Sequence, residues 1–332
     1  MKVLVVGGAG YIGSHMVKML SDDGHSVVTL DNLSTGHREA VLGGEFVLGD
    51  LADTNLIDRL FSEHRFDGVV HFASFIDVAE SVRAPGKYYR NNFCYTLNLL
   101  DAMLAHRVNN FIFSSTAATF GEPQYNPIDE NHPQHPINPY GLSKRMVELA
   151  LADYDRAYGL KSVVLRYFNA AGADPSGLLG ERHEPETHLI PLVLQVAAGS
   201  RTAIEVFGND YDTPDGTCIR DYIHIVDLCQ AHLLALTHLQ REHKSAAYNL
   251  GNGNGFSVQE VIETARRVTG KPIKVIAAAR RVGDPTRLVA DAALARKVLG
   301  WAPRYADLAT IIEHAWSWEQ KCINSSQSSV SR

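Results

Sequence analysis

The chain has 332 residues, 45% of them apolar, and a formal net charge of −6 from 31 basic and 37 acidic side chains. That length exceeds what one compact core usually accommodates, so a main domain with a smaller lobe is expected. The basic residues are scattered and outnumbered, which argues against nucleic acid or an anionic membrane as the main partner. Cys94, Cys218, Cys229 and Cys322 are far apart and form no Cys-x-x-Cys pair, so neither a disulfide frame nor a metal centre is expected. The apolar run in MKVLVVGGAG is too short for a secretory signal, and no later stretch is long enough to span a bilayer. The sequence therefore reads as a soluble protein of a reducing, cytoplasmic compartment.

Residues 2–6 (KVLVV) form a short apolar run bounded by glycine, the pattern of a buried parallel strand, and YIGSHMVKMLSDDG after them is periodic like a helix ending at Gly24. Further strands are predicted at 26–30, 45–48, 68–71, 110–114 and 162–166, separated by helix-length segments such as 54–64, 85–106 and 141–158. This alternation implies an α/β fold, a doubly wound parallel sheet of the Rossmann type. Residues 1–170 make up this domain, and a later stretch, about 220–245, is expected to return to it. From 171 the chain becomes rich in Gly, Pro and charge, and 171–322 is read mainly as a smaller C-terminal α/β substrate lobe. Within it Ser257 and Glu260 form a capping box for a helix running to Gly270, and a last helix covers roughly 307–321. The tail 323–332 is expected to be disordered.

Gly7, Gly8, Gly10 and Gly13 lie between the first strand and the first helix and satisfy G-x-G-x-x-G. Glycines there let the backbone turn tightly and approach a pyrophosphate, whose charge sits against free amides at the helix N-terminus. Alone, such a loop also occurs as a plain turn. The strand before it, the helix after it and Asp31 at the end of the second strand make it a dinucleotide site. The Asp31 carboxylate can accept from ribose hydroxyls and would repel a 2′-phosphate, which favours NAD over NADP. Asp50 could accept from the adenine amino group or simply cap a turn.

Tyr140 and Lys144 stand at i and i+4 in YGLSK, so on a helix they share a face. A phenol of pKa about 10 is a poor base at neutral pH, and a neighbouring ammonium and a positive nicotinamide both favour the phenolate. In isolation the pair could be an ordinary surface pair; downstream of the glycine loop it reads as a proton acceptor and its partner. Ser114, Ser115 and Thr116 follow the strand 110–114, where ligands of doubly wound sheets bind, and could equally make a serine/threonine turn.

With these segments in order, the chain resembles the extended short-chain dehydrogenase/reductase family and, within it, the UDP-glucose 4-epimerase (UDP-galactose 4-epimerase) branch. The resemblance runs from Met1 to about Trp318 through GGAGYIG, HFA, YYRNN, FSSTAATFGEP, PYGLSK, LRYFNAAGA, FGNDYDTPDGTCIRDYIHI and RRVGD. It implies that Gly7, Gly10, Tyr11, Ile12, Gly13, Asp31, Asn32, Asp50, Leu51, Phe72, Ala73, Ser74, Asn91 and Phe168 hold NAD together with Tyr140 and Lys144. It further implies that Tyr140 is the base, Lys144 its electrostatic partner and ribose anchor, and Thr116 the hydroxyl between Tyr140 and the sugar. Asn169, His188, Leu189, Val206, Phe207, Arg220, Val258, Arg281, Asp284 and Leu288 match positions that bind UDP-sugar. Arg220 and Arg281 can clamp diphosphate, Phe207 can pack on uracil, and Asp284 can accept from hydroxyls.

The implied reaction inverts C4 of UDP-glucose and UDP-galactose through a 4-ketosugar and bound NADH, in a homodimer joined by a helix bundle that includes 85–106 and 141–158. Four positions depart from the family pattern. Thr116 stands for a common Ser, Ile76 for a Lys found in some members, and His188 for a common Asn. Leu288 occupies the gate for a 2-acetamido group. A 4,6-dehydratase would need an acid and a base directly after Thr116, where the chain has Ala117 and Ala118. A 4-epimerase of UDP-N-acetylhexosamine or UDP-pentose is the alternative, and a noncatalytic NAD-binding regulator is the reading from a different class.

Overall fold

A computed structural model describes residues 1–281 and 284–330, with side chains described as far as residue 324. The apolar runs form strands β1 (Lys2–Val6), β2 (Ser26–Asp31), β3 (Glu45–Leu48), β4 (Gly68–His71), β5 (Asn110–Thr116) and β6 (Lys161–Tyr167). With the strand Ala246–Leu250 they build one seven-stranded sheet, all parallel, in the spatial order Ala246–Leu250, β6, β5, β4, β1, β2, β3. The chain winds from β1 outward through β2 to β3, then restarts at β4 on the other side of β1. Val6 pairs with Leu30 of β2 and with His71 of β4, so the switch point opens beyond Val6. A crevice forms there because the two crossovers leave in opposite directions.

Alternating side chains of the buried strands feed two cores. Val3, Val5, Val163 and Leu165 pack under helices Tyr11–Asp22 and Ile225–Glu242. Leu4, Val6, Phe111 and Phe113 pack on the opposite face under helices Thr54–Glu63, Tyr95–Ala105 and Pro139–Tyr158. A third core, with Ile190, Val193, Val261, Ile262, Ile311 and Ile312, joins helices Leu189–Ala198, Val258–Thr269 and Leu308–Val330. Beside it, strands Ile204–Phe207 and Val275–Ala278 pair in parallel. The capping box at Ser257 and Glu260 is formed, and Gly270 ends that helix in the left-handed conformation.

Three segments differ from expectation. Residues 85–106 are not one regular helix: a short turn Pro85–Tyr88 leads through a π-helical stretch Tyr89–Cys94 into Tyr95–Ala105. Strand β5 runs on through Ser114, Ser115 and Thr116, which pair with Leu165, Arg166 and Tyr167 instead of leaving the sheet as a turn. The tail expected to be disordered continues the last helix through Val330, and only 331–332 lie outside the described residues. No glycine or proline interrupts INSSQSSV, and extending an existing helix costs far less than nucleating one.

Candidate active site

The glycine loop is shaped by close approach. Gly7 has φ +80°, and a Cβ there would lie 2.5 Å from the Ala73 amide nitrogen; at Gly13 it would lie 2.1 Å from the Gly7 carbonyl oxygen. At Gly10 the nearest atom would be 3.5 Å away, an ordinary contact, so packing within the chain leaves room above that residue. Gly10 is the N-cap of helix Tyr11–Asp22 and offers no capping side chain, leaving the first-turn amides of Tyr11, Ile12 and Gly13 available to an anion.

Asp31, at the end of β2, is buried. Its carboxylate accepts from the Ala9 amide at 2.9 Å and the Leu33 amide at 2.8 Å, which holds the loop closed while lone pairs remain for a ribose. Burial raises the carboxyl above its ordinary value, and the two amides oppose the rise. Asn32 donates to Asp50 at 2.6 Å, and Asp50 also accepts from the Ala52 amide at 2.8 Å. Both readings of Asp50 are thus open in one geometry, since it caps its turn and faces Asn32. Leu51 is buried and its carbonyl accepts from Asn98 at 2.9 Å.

Across the crevice, the amides of Phe72 and Ala73 donate to the Val6 carbonyl, the Phe72 ring lies 4.9 Å from that of His232, and the buried Ser74 hydroxyl has no partner among the described residues. Asn91 donates to Asn92 at 2.9 Å, and Asn92 in turn holds Phe75 and Ser143. Ile76 is 44% exposed. A glycine cradle with room above Gly10, an acidic ribose acceptor and an orphaned hydroxyl suit an NAD molecule laid across the switch point.

Asn138 caps helix Pro139–Tyr158 by accepting from the Gly141 amide at 2.8 Å. A Cβ at Gly141 would stand 2.4 Å from the Ala118 carbonyl oxygen, so only glycine lets this helix start press against the turn Ala117–Thr119 that follows β5. That approach brings Tyr140 beside Thr116. Burial holds the phenol above its ordinary value, and the Thr116 hydroxyl pulls it back down. Thr116 also accepts from the Ala118 amide at 3.1 Å, which fixes its rotamer.

Lys144 is buried, and its ammonium donates to the Ser114 carbonyl at 2.8 Å and lies over the Phe113 ring at 4.8 Å. Burial pulls it down to about 7, against the attraction of Glu148. Tyr140 is thus shifted by burial and Thr116, while the Lys144 ammonium is engaged with the Ser114 carbonyl within β5. Glu148, one further turn along the helix, accepts from Ser115 at 2.5 Å, from Gln134 at 2.9 Å and from the Arg166 guanidinium at 2.8 Å. Sequence reasoning missed this buried pair. The i+4 step from Lys144 to Glu148 was its one local signal, whereas Arg166 is brought in by the sheet.

The substrate candidates come from scattered elements. Asn169 donates to the Asp221 carbonyl at 2.9 Å. Arg220 pairs with Asp284, and the Arg281 guanidinium covers one face of the Phe207 ring at 3.8 Å. Val206 is buried on the strand that ends at Phe207, and Val258 opens the helix capped by Ser257. Val282 and Gly283 of the RRVGD segment lie outside the described residues. Leu288 pairs in register with Arg220, and with Phe168 it packs against Ala117, Phe120 and Ile128, so it faces the same turn that carries Thr116. His188 occupies the N-cap position of helix Leu189–Ala198 without a side-chain cap, its Nδ1 2.5 Å from Glu181. Burial opposes its charge, but Glu181 and Glu186 outweigh that and push it up to about 10. Asp221 is a further residue missed: its buried carboxylate accepts the amides of Asn252, Gly253 and Ala290 at 2.7, 3.0 and 3.1 Å. It pins the strands around the substrate candidates together.

The chain is 53% identical over 97% of its length to a UDP-glucose 4-epimerase of Halalkalibacterium halodurans, covering 96% of that protein. A UDP-glucose 4-epimerase of Brucella ovis, solved in complex with NAD, superposes with a TM-score of 0.93 at 52% identity, covering 95% of this chain and 97% of the other. The UDP-Glc/GlcNAc 4-epimerase of Campylobacter jejuni superposes with a TM-score of 0.85 at 47% identity, covering 97% and 99%. The family model for the NAD dependent epimerase/dehydratase family matches residues 3–251, the stretch that contains the glycine loop, Asp31, Thr116, Tyr140 and Lys144, and the chain belongs to that family.

Proposed function

We propose that the chain interconverts UDP-glucose and UDP-galactose by inverting C4 through a 4-ketosugar, with NAD retained between turnovers. The observation that carries this reading is the Tyr140–Thr116 pair, held at the end of β5 beside the crevice that fits a dinucleotide. Relatives about 50% identical over nearly the whole chain and described as UDP-glucose 4-epimerases support it.

Bound NAD supplies the reversible two-electron acceptor. Thr116 bridges the sugar 4-hydroxyl and the Tyr140 oxygen, and Tyr140 takes the proton as C4 becomes a ketone. Lys144, anchored on Ser114, supplies positive charge behind the phenol and a donor for a ribose hydroxyl. The UDP end is held by Arg220, Arg281, Asp284 and Phe207, with Val206, Val258, Leu189, Asn169 and His188 around it. Anchoring through the nucleotide leaves the hexose free to present its other face, and Tyr140 returns the proton. Ala117 and Ala118 place no acid or base beside Thr116, which supports epimerisation over elimination.

Leu288 beside Phe168 and Ala117 favours the plain hexoses, because it fills the space at the sugar end and cannot bond an amide. The relative of Campylobacter jejuni keeps the N-acetyl substrates as the second reading. A homodimer in a reducing cytoplasm completes the proposal. Among the described residues no helix is long and apolar enough to cross a membrane, and there is no disulfide. Incubating the purified chain with UDP-galactose, UDP-N-acetylgalactosamine and UDP-xylose, without added cofactor, tests it by product separation. UDP-glucose as the dominant product is expected, and no turnover of any of the three would overturn the reading.

A further inference from the structure

Between strand Asn169–Ala171 and helix Leu189–Ala198 the chain carries Glu181, His183, Glu186 and His188, spaced Glu-x-His-x-x-Glu-x-His. One ligand atom from each of the four lies within 4.8 Å of the other three. His188 Nδ1 is 2.5 Å from Glu181 and 3.5 Å from Glu186, and His183 Nδ1 is 3.2 Å from Glu181 and 3.7 Å from Glu186. A tetrahedral ion with bonds of about 2.0–2.1 Å has ligand–ligand edges of about 3.3–3.4 Å. The four separations straddle that value.

The four side chains form one ion-pair cluster in which each histidine faces both glutamates. His183 Nδ1 is buried between the two carboxylates, with a Glu181 oxygen 3.2 Å and a Glu186 oxygen 3.7 Å away. Both glutamate side chains are only 6% exposed, so their charge needs a counter-charge that is close and dry.

We propose that Glu181, His183, Glu186 and His188 form a binding site for a divalent cation of the zinc type. Two imidazoles with two carboxylates suit Zn²⁺ better than Mg²⁺ or Ca²⁺, which take mostly oxygen ligands. Four protein ligands close the coordination sphere, the mark of a structural site and not of one that activates water.

Such an ion ties three parts of the molecule. The Glu181 carbonyl accepts from Trp318 of the last helix at 3.0 Å, His37 contacts the Arg182 carbonyl at 3.2 Å, and the Tyr11 ring at the start of the first helix lies 6.3 Å from that of His183. The site thus staples the loop 181–188 across the helix start that faces the cofactor crevice. It does not depend on which sugar is epimerised.

The test uses the full chain, purified in EDTA, dialysed and titrated with ZnCl₂ by calorimetry, with metal content and Tm measured beside it. One equivalent of Zn²⁺ per chain and a raised Tm are expected. In His183→Ala and in the nearly isosteric Glu186→Gln the affinity falls at least about 100-fold, since even residues that only support a ligand are worth ~10–100-fold. Should the alanine variant fail to fold, Glu186→Gln and the visible spectrum of the Co²⁺-loaded native chain decide, with intense tetrahedral absorption expected. Absence of stoichiometric zinc with an unchanged Tm overturns the proposal and leaves a protonated, all-protein charge network. Undiminished affinity in the variants also overturns it, by placing the zinc elsewhere.

Discussion

Replacing Gly141 by alanine sets helix propensity against geometry. Position 141 is the third residue of helix Pro139–Tyr158, where alanine on propensity alone adds about 1 kcal/mol. Its Cβ, however, would meet the Ala118 carbonyl oxygen at 2.4 Å, whereas ordinary contacts begin at 3.4 Å. Either the helix start or the turn Ala117–Thr119 must retreat by about 1 Å, because both atoms involved belong to backbone or sit directly on it. Overpacking of this kind costs about 1–3 kcal/mol, enough to cancel the propensity gain. The retreat also separates Tyr140 from Thr116, and a misplacement of about 1 Å costs roughly 10²-fold in rate. The expected result is a kcat for UDP-galactose lowered roughly 10²-fold, with bound NAD and the KM for nucleotide little changed, since neither the glycine loop nor Arg220 is touched. Turnover within threefold of the native chain would falsify the claim that this close approach sets the proton-transfer geometry.

Tyr140→Phe removes the proton acceptor and leaves the UDP contacts alone, so kcat should fall by about 10²–10⁴ with nucleotide affinity retained; a normal rate would mean that another group is the base. Leu288→Ser should raise kcat/KM for UDP-N-acetylgalactosamine relative to UDP-galactose by up to about 10–200-fold, and an unchanged ratio would show that Leu288 is not the gate. Lys144 is held down to about 7 in the fold, against an ordinary lysine value of about 10.5, so its charged form costs stability below about pH 7 and that cost is relieved as pH rises from 7 towards 10.5. Lys144→Met should therefore raise the Tm of the chain stripped of NAD most below pH 7 and progressively less towards pH 10, while lowering turnover; a Tm difference independent of pH would refute the assignment.

The parts of the site legible in the sequence are those whose physics is local. The glycine loop needs only a strand, a tight turn and a helix start within a dozen residues, and Asp31 closes the same unit at the end of the next strand. Tyr140 and Lys144 share a helix face by their spacing. Glu148 and Arg166 are harder, because their pairing depends on helix Pro139–Tyr158 lying over β6, which no local pattern specifies. Asp221 is harder still, since its three amide partners arrive from two later segments of the chain. The Glu181, His183, Glu186 and His188 cluster is illegible locally for another reason: its spacing matches no short metal motif, and only the folded loop brings the four side chains together. The π-helical stretch at Tyr89–Cys94 carries no composition signal and follows from how that segment packs against Pro139–Tyr158.

The seventh strand has a consequence for how the protein is made. β6 ends at Tyr167, but its outer neighbour is Ala246–Leu250, and one of the two helices that cover Val3, Val5, Val163 and Leu165 is Ile225–Glu242. A ribosome adding about 5–20 residues per second needs roughly 4–16 s for the roughly eighty residues between them. During that interval the nascent sheet has an unpaired edge and an apolar face covered by helix Tyr11–Asp22 alone, two features that recruit neighbouring chains. A chain arrested near residue 170 should accordingly be insoluble or chaperone-bound, and the crevice for the dinucleotide cannot become rigid until residues from the far side of the second lobe have emerged.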